Sequence, residues 1–187
     1  LPPHAPVLAC FARLEKLDRT MFTVWANILR RVPSAVLWIL EEDEAATPNL
    51  LLELASHGIH PSRVVWAQKE PKAHHIGRHA LADVALDTLW YNSHTTATDA
   101  LEVGLPLITL RGPSFSSRVG ASLLLHAGRN ELVCSSLTEY EEVAVHLVRR
   151  LRALRGWRAQ WLVGQREQGA AFDPWTFSWS LESAGRA

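Results

Sequence analysis

The sequence predicts an α/β protein with a Rossmann-like, doubly wound parallel sheet. Short runs of β-type apolar residues alternate with longer stretches whose apolar residues recur at helical spacing. The short runs are apolar at nearly every position, which is typical of strands buried on both faces. Together these patterns indicate a parallel sheet covered by helices on both sides, with ligands bound at the carboxyl ends of the strands.

Six strands are predicted, which matches the strand order of a dinucleotide-binding fold. The clearest is Ala-Val-Leu-Trp-Ile-Leu at 35–40, which is apolar throughout. Gly104 and Pro106 separate the strand at 107–110 from the helix before it. In chain order, the predicted strands are residues 7–11, 35–40, 64–66, 83–86, 107–110 and 132–133.

Helix signals fill the intervals between these strands. Asp18 or Thr20 can cap the first helix, its apolar residues fall on one face, and Pro33 ends it. Gly58 closes the second helix. The first predicted helix begins at residue 18 or 20 and ends near 31, and the third begins within residues 91–99 and ends at 104. The other predicted helices are residues 48–56, 116–125, 138 to about 161, and 175–182.

The last helices form a C-terminal extension over residues 151–187, after a Rossmann-like domain over residues 1–150. Trp157 and Trp161 are four residues apart, as are Trp175 and Trp179, so each pair shares one helical face. These faces would cover the sheet or form a patch for a neighbouring domain.

Composition excludes several classes of protein. The chain has 187 residues, of which 48% are apolar and 20% charged, so it can bury a core and is not a disordered chain. Basic and acidic residues number 19 each, which leaves no field of one sign to hold nucleic acid or a membrane surface. Of two interpretations of the arginine cluster at 149–158, nucleic-acid contact or a solvated helical face, we favour the second. The longest apolar runs are far too short to span a membrane.

The cysteine and methionine positions bear on compartment and completeness. Cys10 and Cys134 both lie in apolar strand-like runs, so we expect buried, reduced thiols in an intracellular protein. The single Met is Met21 and the chain opens at Leu1. We therefore expect a fragment, a processed product or an excised domain.

The segment at 91–99, Tyr-Asn-Ser-His-Thr-Thr-Ala-Thr-Asp, is the most informative. It follows a predicted strand and opens a helix, so its backbone N–H groups and the helix dipole favour an anion such as a diphosphate. Thr95 and Thr96 add hydroxyl donors, and His94 adds a donor of adjustable charge. Asp99, one turn later, can accept hydrogen bonds from ribose hydroxyls. The alternative is that Ser93 or Thr95 merely caps the helix.

Two other segments follow predicted strands. In 69–79, Lys72, His75 and Arg78 fall close to one helical face that can pack along a base and donate to ribose or phosphate. A zinc site of His74, His75 and His79 is the weaker alternative, since neither Cys nor an HExxH motif accompanies them.

In the loop at 11–16, Lys16 can neutralise phosphate charge. The loop carries neither GxGxxG nor GxxxxGK[ST], which argues against NAD, FAD and P-loop nucleotide binding. The chain also lacks a GxSxG elbow, which leaves an α/β-hydrolase unsupported.

Together, these segments resemble the catalytic region of the protein O-GlcNAc transferase family, and the match runs across nearly the whole chain. Many ordered matches in one register are more specific than any single motif. The matching residues are Leu1-Pro2, Phe11, Leu14-Glu15-Lys16, Trp25-Ala26-Asn27-Ile28-Leu29, Arg31-Val32-Pro33, Leu37-Trp38, Pro71-Lys72, His75, Leu81-Ala82-Asp83-Val84, Leu86-Asp87-Thr88, Asn92, His94-Thr95-Thr96, Asp99, Gly104, Pro106, Ser117-Arg118-Val119, Glu139-Tyr140 and Phe172.

The resemblance implies a GT-B glycosyltransferase, in which two Rossmann-like halves enclose the active site. This chain would be the C-terminal, UDP-GlcNAc-binding half, with 1–150 as the nucleotide-sugar-binding domain. The extension at 151–187 would pack on that domain or on the missing N-terminal half. The implied reaction is inverting transfer of GlcNAc from UDP-GlcNAc to protein Ser or Thr hydroxyls, with no metal or other cofactor. TPR repeats that choose acceptor proteins would precede the N-terminal half, and the compartment would be the cytoplasm or nucleus.

The resemblance also assigns roles to residues. By that analogy, Lys16 stabilises the diphosphate leaving group, and the diphosphate is bound by His94, Thr95 and Thr96. Asp99 binds the ribose, and the uridine is lined by Lys72, His75 and Arg78. Arg13 lies beside the sugar-phosphate.

The chain departs from the family pattern in the loops of the candidate site. Arg13 stands where the family usually carries Gln or Asn, and Ser93 replaces a Gly. Ala97 and Thr98 also differ from the commonest loop. In the plant-type O-fucosyltransferase branch, the nucleotide loop is a run of threonines followed by Glu. This chain has His94 and Asp99 instead, so the resemblance favours UDP-GlcNAc over GDP-fucose. Two further alternatives are a non-catalytic nucleotide-sugar-binding or interaction module and a Rossmann-like module for another nucleotide.

Overall fold

A parallel sheet forms the centre of the protein. The computed structural model describes residues 1–43 and 45–167. Its strands there are β1 (Val7–Cys10), β2 (Val36–Leu40), β3 (Val64–Ala67), β4 (Val84–Leu86), β5 (Leu107–Leu110) and β6 (Val133–Cys134). Their order is β3-β2-β1-β4-β5-β6, and every neighbouring pair is parallel. The predicted doubly wound sheet and its strand order are confirmed.

Helices connect the strands and cover both faces of the sheet. They are α1 (Arg19–Arg31), α2 (Thr47–Ser56), α3 (Lys72–His79), α4 (Thr95–Glu102), α5 (Val119–His126), α6 (Leu137–Arg149) and α7 (Leu151–Glu167). Asp18 caps α1, because its side chain accepts a hydrogen bond from the Met21 N–H at 3.1 Å. The predicted Asp18 cap is therefore confirmed.

Two hydrophobic clusters lie on opposite sides of the sheet, as strands buried on both faces require. Along β2, Leu37 and Ile39 join one cluster, while Val36, Trp38 and Leu40 join the other. Helices α1 and α6 supply most of the helical residues of the first cluster, and α4 contributes to the second. Cys10 and Cys134 are both buried and free, as predicted.

The C-terminal helical stretch differs from the prediction. A single helix from 138 to about 161 was expected, but α6 ends at Arg149 and α7 begins at Leu151. The break at Arg150, where φ is −116° and ψ 41°, lets α7 turn away from α6. Leu154 and Trp161 are then buried in different clusters, which one straight helix along α6 would not allow.

Helix α7 lies across the amino ends of the central strands. The Arg158 guanidinium donates to the carbonyl oxygens of Ala82 at 2.6 Å and Gly104 at 3.0 Å, just before β4 and β5. The opposite, carboxyl edge is therefore the side at which the loops of the candidate site gather. The predicted helix at 175–182, Trp175, Trp179 and Phe172 lie outside the described residues.

One further predicted element begins later than expected. The predicted helix at 116–125 starts at Val119, because residues 112–118 form a turn held by hydroxyl groups. The Ser117 hydroxyl accepts from the Ser114 N–H at 3.0 Å, and the Gly112 N–H donates to the Ser117 carbonyl at 2.8 Å. Serine side chains that bond their own backbone favour such turns over helix.

Candidate functional site

The three predicted segments meet at the carboxyl edge of the sheet. The loop after β1 touches the loop after β4, since the Lys16 ammonium donates to the Asn92 carbonyl at 3.1 Å. Helix α3 touches α4, since the Lys72 ammonium lies 2.6 Å from both Asp99 carboxylate oxygens. Strands β1 and β4 are neighbours at the point where the chain order across the sheet reverses, which is where doubly wound folds bind ligands.

A buried carboxylate organises the loop between β4 and α4. Asp87 is 0% exposed, and one of its oxygens accepts from the N–H groups of Thr88 at 2.9 Å and Ser93 at 2.6 Å. Its other oxygen accepts from the Thr109 hydroxyl at 2.6 Å. Burial raises the pKa of Asp87 to about 6, and these hydrogen bonds offset part of that rise. The carboxylate thus ties both ends of the loop to β5.

Asn92 and Gly120 connect this loop to the next. The Asn92 N–H donates to the Ser116 carbonyl at 2.8 Å, and its side-chain oxygen accepts from the Gly120 N–H at 3.3 Å. A Cβ at Gly120 would lie 2.3 Å from a carboxylate oxygen of Asp87, so glycine is required for this approach. The loops after β4 and β5 therefore form one rigid support beneath the start of α4.

The start of α4 presents backbone donors at this edge. The first helical bond runs from the Thr98 N–H to the His94 carbonyl at 3.1 Å, so the N–H groups of Thr95, Thr96 and Ala97 have no acceptor within the helix. His94 occupies the N-cap position without a capping side-chain bond. Neither Ser93 nor Thr95 is the cap, because His94 holds that position and Thr95 is the first helical residue. The arrangement is that of an anion-binding helix terminus.

Lys16 ends a 3₁₀ turn, Leu14–Lys16, and lies against the loop that leads into α4. Its Nζ is 4.0 Å from the centroid of the Tyr91 ring, and the Tyr91 and His94 rings stack at 5.0 Å. Desolvation lowers the pKa of Lys16, while the buried Asp87 opposes that shift. An ammonium has three donors, and the Asn92 carbonyl engages one of them. Lys16 and the start of α4 can therefore both donate to one anionic group.

Helix α3 forms the other wall. His75 packs edge-on against the Phe11 ring at 5.6 Å, and burial lowers the pKa of its imidazole, with Arg78 adding to the effect. Arg78 is buried, donates to the Gln68 carbonyl at 2.7 Å, and lies 5.7 Å from the Phe11 centroid. The predicted helical face of Lys72, His75 and Arg78 thus exists, but Arg78 is held by the protein's own backbone.

Arg13 lies toward the β2 side of the site. Its guanidinium is 3.2 Å from the Glu15 carboxylate and 3.5 Å from that of Glu42, and the side chain is largely exposed. The pair with Glu42 joins the loop after β1 to the loop after β2, whereas the pair with Glu15 lies within the first loop. Its predicted position beside the sugar-phosphate stays a prediction.

Several residues of this site were not among the predicted site residues. Asp87, Thr109 and Gly120 are separated by up to 33 residues in sequence yet share one buried contact. Two signals mark Asp87 in the sequence, its position directly after an apolar strand and the match of Leu86-Asp87-Thr88 to the family. His79 is also buried, and desolvation lowers its pKa to about 4 while its ring bonds the His75 carbonyl at 2.7 Å.

Two properties of the described residues bear on metal and membrane binding. No group of three or more His, Cys, Asp or Glu side chains within residues 1–43 and 45–167 is placed to hold a metal ion. Among the helices described, none combines the length and the apolar character that a membrane crossing needs.

Comparison with known proteins places this geometry in a family. The sequence model of glycosyl transferase family 41 matches residues 1–181. A probable UDP-N-acetylglucosamine–peptide N-acetylglucosaminyltransferase, SEC of Arabidopsis thaliana, is 40% identical over 148 residues, covering 79% of this chain and 15% of that protein. The Caenorhabditis elegans UDP-N-acetylglucosamine–peptide N-acetylglucosaminyltransferase is 37% identical over 147 residues, covering 79% and 13%.

Solved structures agree. A mutant of the Thermobaculum terrenum O-GlcNAc transferase superposes with a TM-score of 0.86 at 31% identity, covering 100% of this chain and 38% of that one. Staphylococcus aureus TarM superposes with a TM-score of 0.67 at 7% identity, which shows the shared fold alone. The chain spans 15% and 13% of the two curated relatives above.

Proposed function

Because this chain belongs to glycosyl transferase family 41, we propose that it is the donor-binding half of a protein O-GlcNAc transferase. In this proposal, GlcNAc passes from UDP-GlcNAc to Ser or Thr hydroxyls of proteins with inversion at the sugar carbon. The observation that carries the proposal is that Lys16 reaches the loop leading into α4, where its ammonium donates to the Asn92 carbonyl at 3.1 Å, two residues before the His94 N-cap.

The chemistry requires charge stabilisation at that point. The acceptor oxygen forms a bond to the sugar C1 as the bond from C1 to the β-phosphate oxygen breaks. The bonding electrons stay on UDP, so negative charge develops on the diphosphate. Donors already in place for that charge lower the barrier, because they need no reorganisation during the reaction. Lys16 and the N–H groups of Thr95 and Thr96 supply such donors without a metal.

The nucleoside would lie along α3 and α4. Asp99 is buried, and its carboxylate is held by Lys72, whose side chain is 57% exposed. A carboxylate has about four lone-pair positions, so this pairing leaves capacity to accept from ribose hydroxyls. His75 and the Phe11 ring form the surface on which the uracil would pack.

The remaining parts of the enzyme belong to the proposal as well. The small share of the curated relatives that this chain covers fits an additional N-terminal half and TPR repeats in the whole protein. The base that takes the acceptor proton and the site for the acceptor polypeptide would lie there. We place the whole enzyme in the cytoplasm or nucleus.

Calorimetric titration of the chain with UDP, GDP and ADP tests the donor site. We expect selective binding of UDP, weakened about tenfold or more by Asp99→Ala, which loses an acceptor for the ribose hydroxyls, and by His75→Ala, which loses the surface under the uracil. The matched control is His74→Ala, because His74 is the exposed neighbour of His75 on α3 and pairs with Glu70. Equal affinity for GDP, or equal loss in His74→Ala, would contradict the assignment.

A further inference from the structure

The Tyr91 ring contacts two of the side chains that surround the proposed diphosphate position. The Lys16 Nζ is 4.0 Å from its centroid. The His94 ring stacks on it, with centroids 5.0 Å apart and an angle of 21° between the planes. Lys16 comes from the loop after β1, whereas His94 lies at the start of α4. The ring thus spans two separate elements of the site while remaining 46% exposed.

The surrounding backbone does not depend on this ring. The Tyr91 carbonyl accepts from the Thr88 hydroxyl at 2.6 Å, and the next carbonyl, that of Asn92, accepts from Lys16. Asp87 holds the Ser93 N–H. Each of these bonds uses a main-chain atom of the loop, so the loop keeps its path when the side chain at 91 changes. The ring is therefore available for a role other than folding.

That role follows from the side-chain freedom of Lys16 and His94, which the ring restricts. A lysine carries its ammonium on a four-carbon stem, and an aromatic face nearby attracts the cation and narrows its positions. A stacked ring also restricts rotation of an imidazole. The Nε2 atom of His94 is buried without a hydrogen-bond partner among the described residues, so no polar contact at that atom sets the plane of the imidazole. The stack with Tyr91 supplies that constraint, with a more distant edge contact from Phe115 at 6.3 Å.

We propose that Tyr91 is a positioning residue, which holds the Lys16 ammonium and the His94 imidazole against one anionic group, the β-phosphate of the donor. This inference rests on the proposed function and adds to it a residue that no motif marks. Tyr91 acts through its two neighbours and takes no part in bond making. Its aromatic face performs the role, and its hydroxyl does not.

The comparison of UDP with UMP measures this role, because UMP lacks the β-phosphate. We expect Tyr91→Leu to weaken UDP binding by about three- to tenfold, the size of a cation–aromatic contact together with a stacking contact. UMP affinity should stay within about twofold, the scatter expected when no contact is lost. Tyr91→Phe keeps the ring and should match the wild-type chain for both ligands. Trp90→Leu is the matched control, because the neighbouring Trp90 is 66% exposed and makes no ring contact with Lys16 or His94 among the described residues.

A second measurement needs no ligand. The chain has three lysines, Lys16, Lys69 and Lys72, so NMR of ε-¹³C-lysine resolves each side chain. The ring current of Tyr91 should shift the Lys16 ε-methylene resonance upfield of the other two. We expect Tyr91→Leu to abolish that shift and Tyr91→Phe to keep it. Circular dichroism confirms that each variant is folded.

The two measurements separate this inference from the proposed function. A folded Tyr91→Leu chain with an unchanged ratio of UDP to UMP affinity overturns the positioning role, as does a Lys16 resonance that is unmoved by the substitution. A wild-type chain that binds neither nucleotide contradicts the proposed donor site instead. In that case the Lys16 resonance still decides whether Tyr91 holds the ammonium.

Discussion

A buried aspartate stands at each end of β4, and the two carboxylates differ in the charge of their hydrogen-bond partners. At the amino end, Asp83 accepts from the Val7 N–H at 2.9 Å and pairs with the Arg155 guanidinium at 3.3 Å. At the carboxyl end, the donors that the described residues offer to the Asp87 carboxylate are neutral and include two backbone N–H groups and the Thr109 hydroxyl. The Lys16 ammonium, the cation of the proposed donor site, contacts the Asn92 carbonyl and the Tyr91 ring instead of this carboxylate.

This difference separates a structural edge from the edge that carries the proposed donor site. At the amino edge, α7 closes the sheet and its arginines satisfy carboxylate and carbonyl groups of the protein itself. At the carboxyl edge, the carboxylate is kept away from the cation, which leaves ammonium and helix N–H donors for an anionic ligand. A direct Lys16–Asp87 pair would stabilise both charges and remove the donor that the proposed reaction needs.

The largest expected effect comes from removing the cation at the carboxyl edge. We expect Lys16→Ala to lower transfer activity of the full-length enzyme by about 10²- to 10³-fold, because a donor to the developing charge is lost. Its free energy of unfolding should change by less than about 1 kcal/mol, since the side chain is partly exposed. Steady-state kinetics and chemical denaturation measure the two quantities. Unchanged turnover would remove Lys16 from the mechanism.

Two variants serve as controls for that substitution. Lys69→Ala changes an exposed lysine outside the site and should leave turnover unchanged. Arg158→Met removes the donor to the Ala82 and Gly104 carbonyls at the opposite edge. It should destabilise the fold by about 1–3 kcal/mol through unsatisfied carbonyls, without altering UDP affinity. A loss of UDP affinity in Arg158→Met would break the separation of the two edges.

The next effect is a pH dependence at Asp87. Its pKa is about 6 in the folded state, above the value of about 3.9 for an unfolded chain, so the folded state binds more protons between these values. The contribution of this group to the free energy of unfolding is therefore fully present below pH ~4 and is lost as pH rises through ~6. The loss amounts to at most about 3 kcal/mol. Asp87→Asn lacks this titration.

The difference in unfolding free energy between the wild-type chain and Asp87→Asn isolates that group. His79, whose pKa is lowered to about 4, loses its contribution as pH falls from ~6.5, which is the opposite direction. Because His79 is present in both proteins, its titration cancels in the difference. We expect the wild-type chain to become less stable relative to Asp87→Asn from pH 4 to pH 7. A difference that is flat with pH would show that Asp87 stays ionised throughout.

The smallest effects compare two glycines, one at each edge. Gly120→Ala places a Cβ 2.3 Å from Asp87 and 2.7 Å from Thr109, so it should destabilise the fold by about 1–3 kcal/mol and weaken UDP binding. Gly156→Ala meets nothing within 4 Å on α7 and should stabilise the fold by up to about 1 kcal/mol through helix propensity. Thermal denaturation measures both. If both variants are equally stable, the contact at Gly120 is not tight.

Much of the fold could be predicted because it depends on local patterns. A continuous apolar run predicted β2, Gly104 and Pro106 marked the start of β5, and the Asp18 signal predicted the start of α1. The alternation of strand and helix then predicted the doubly wound sheet, since right-handed packing of such units leaves few topologies. The break at Arg150 was missed, because helical spacing continues through it and only the burial of Trp161 on the other side of the sheet requires it.

The sequence by itself determined which residue types stand at the carboxyl edge of this protein: a lysine after β1, a basic helix after β3, and a polar turn before α4. It could do so because strand ends and helix starts are set by neighbours in the chain. Tertiary structure alone decided that Asp87 holds the loop, that Lys72 engages Asp99, and that Tyr91 lies against Lys16. The Lys16–Asn92 bond joins residues 76 positions apart, and such contacts depend on how strands and helices pack, which a local pattern does not record.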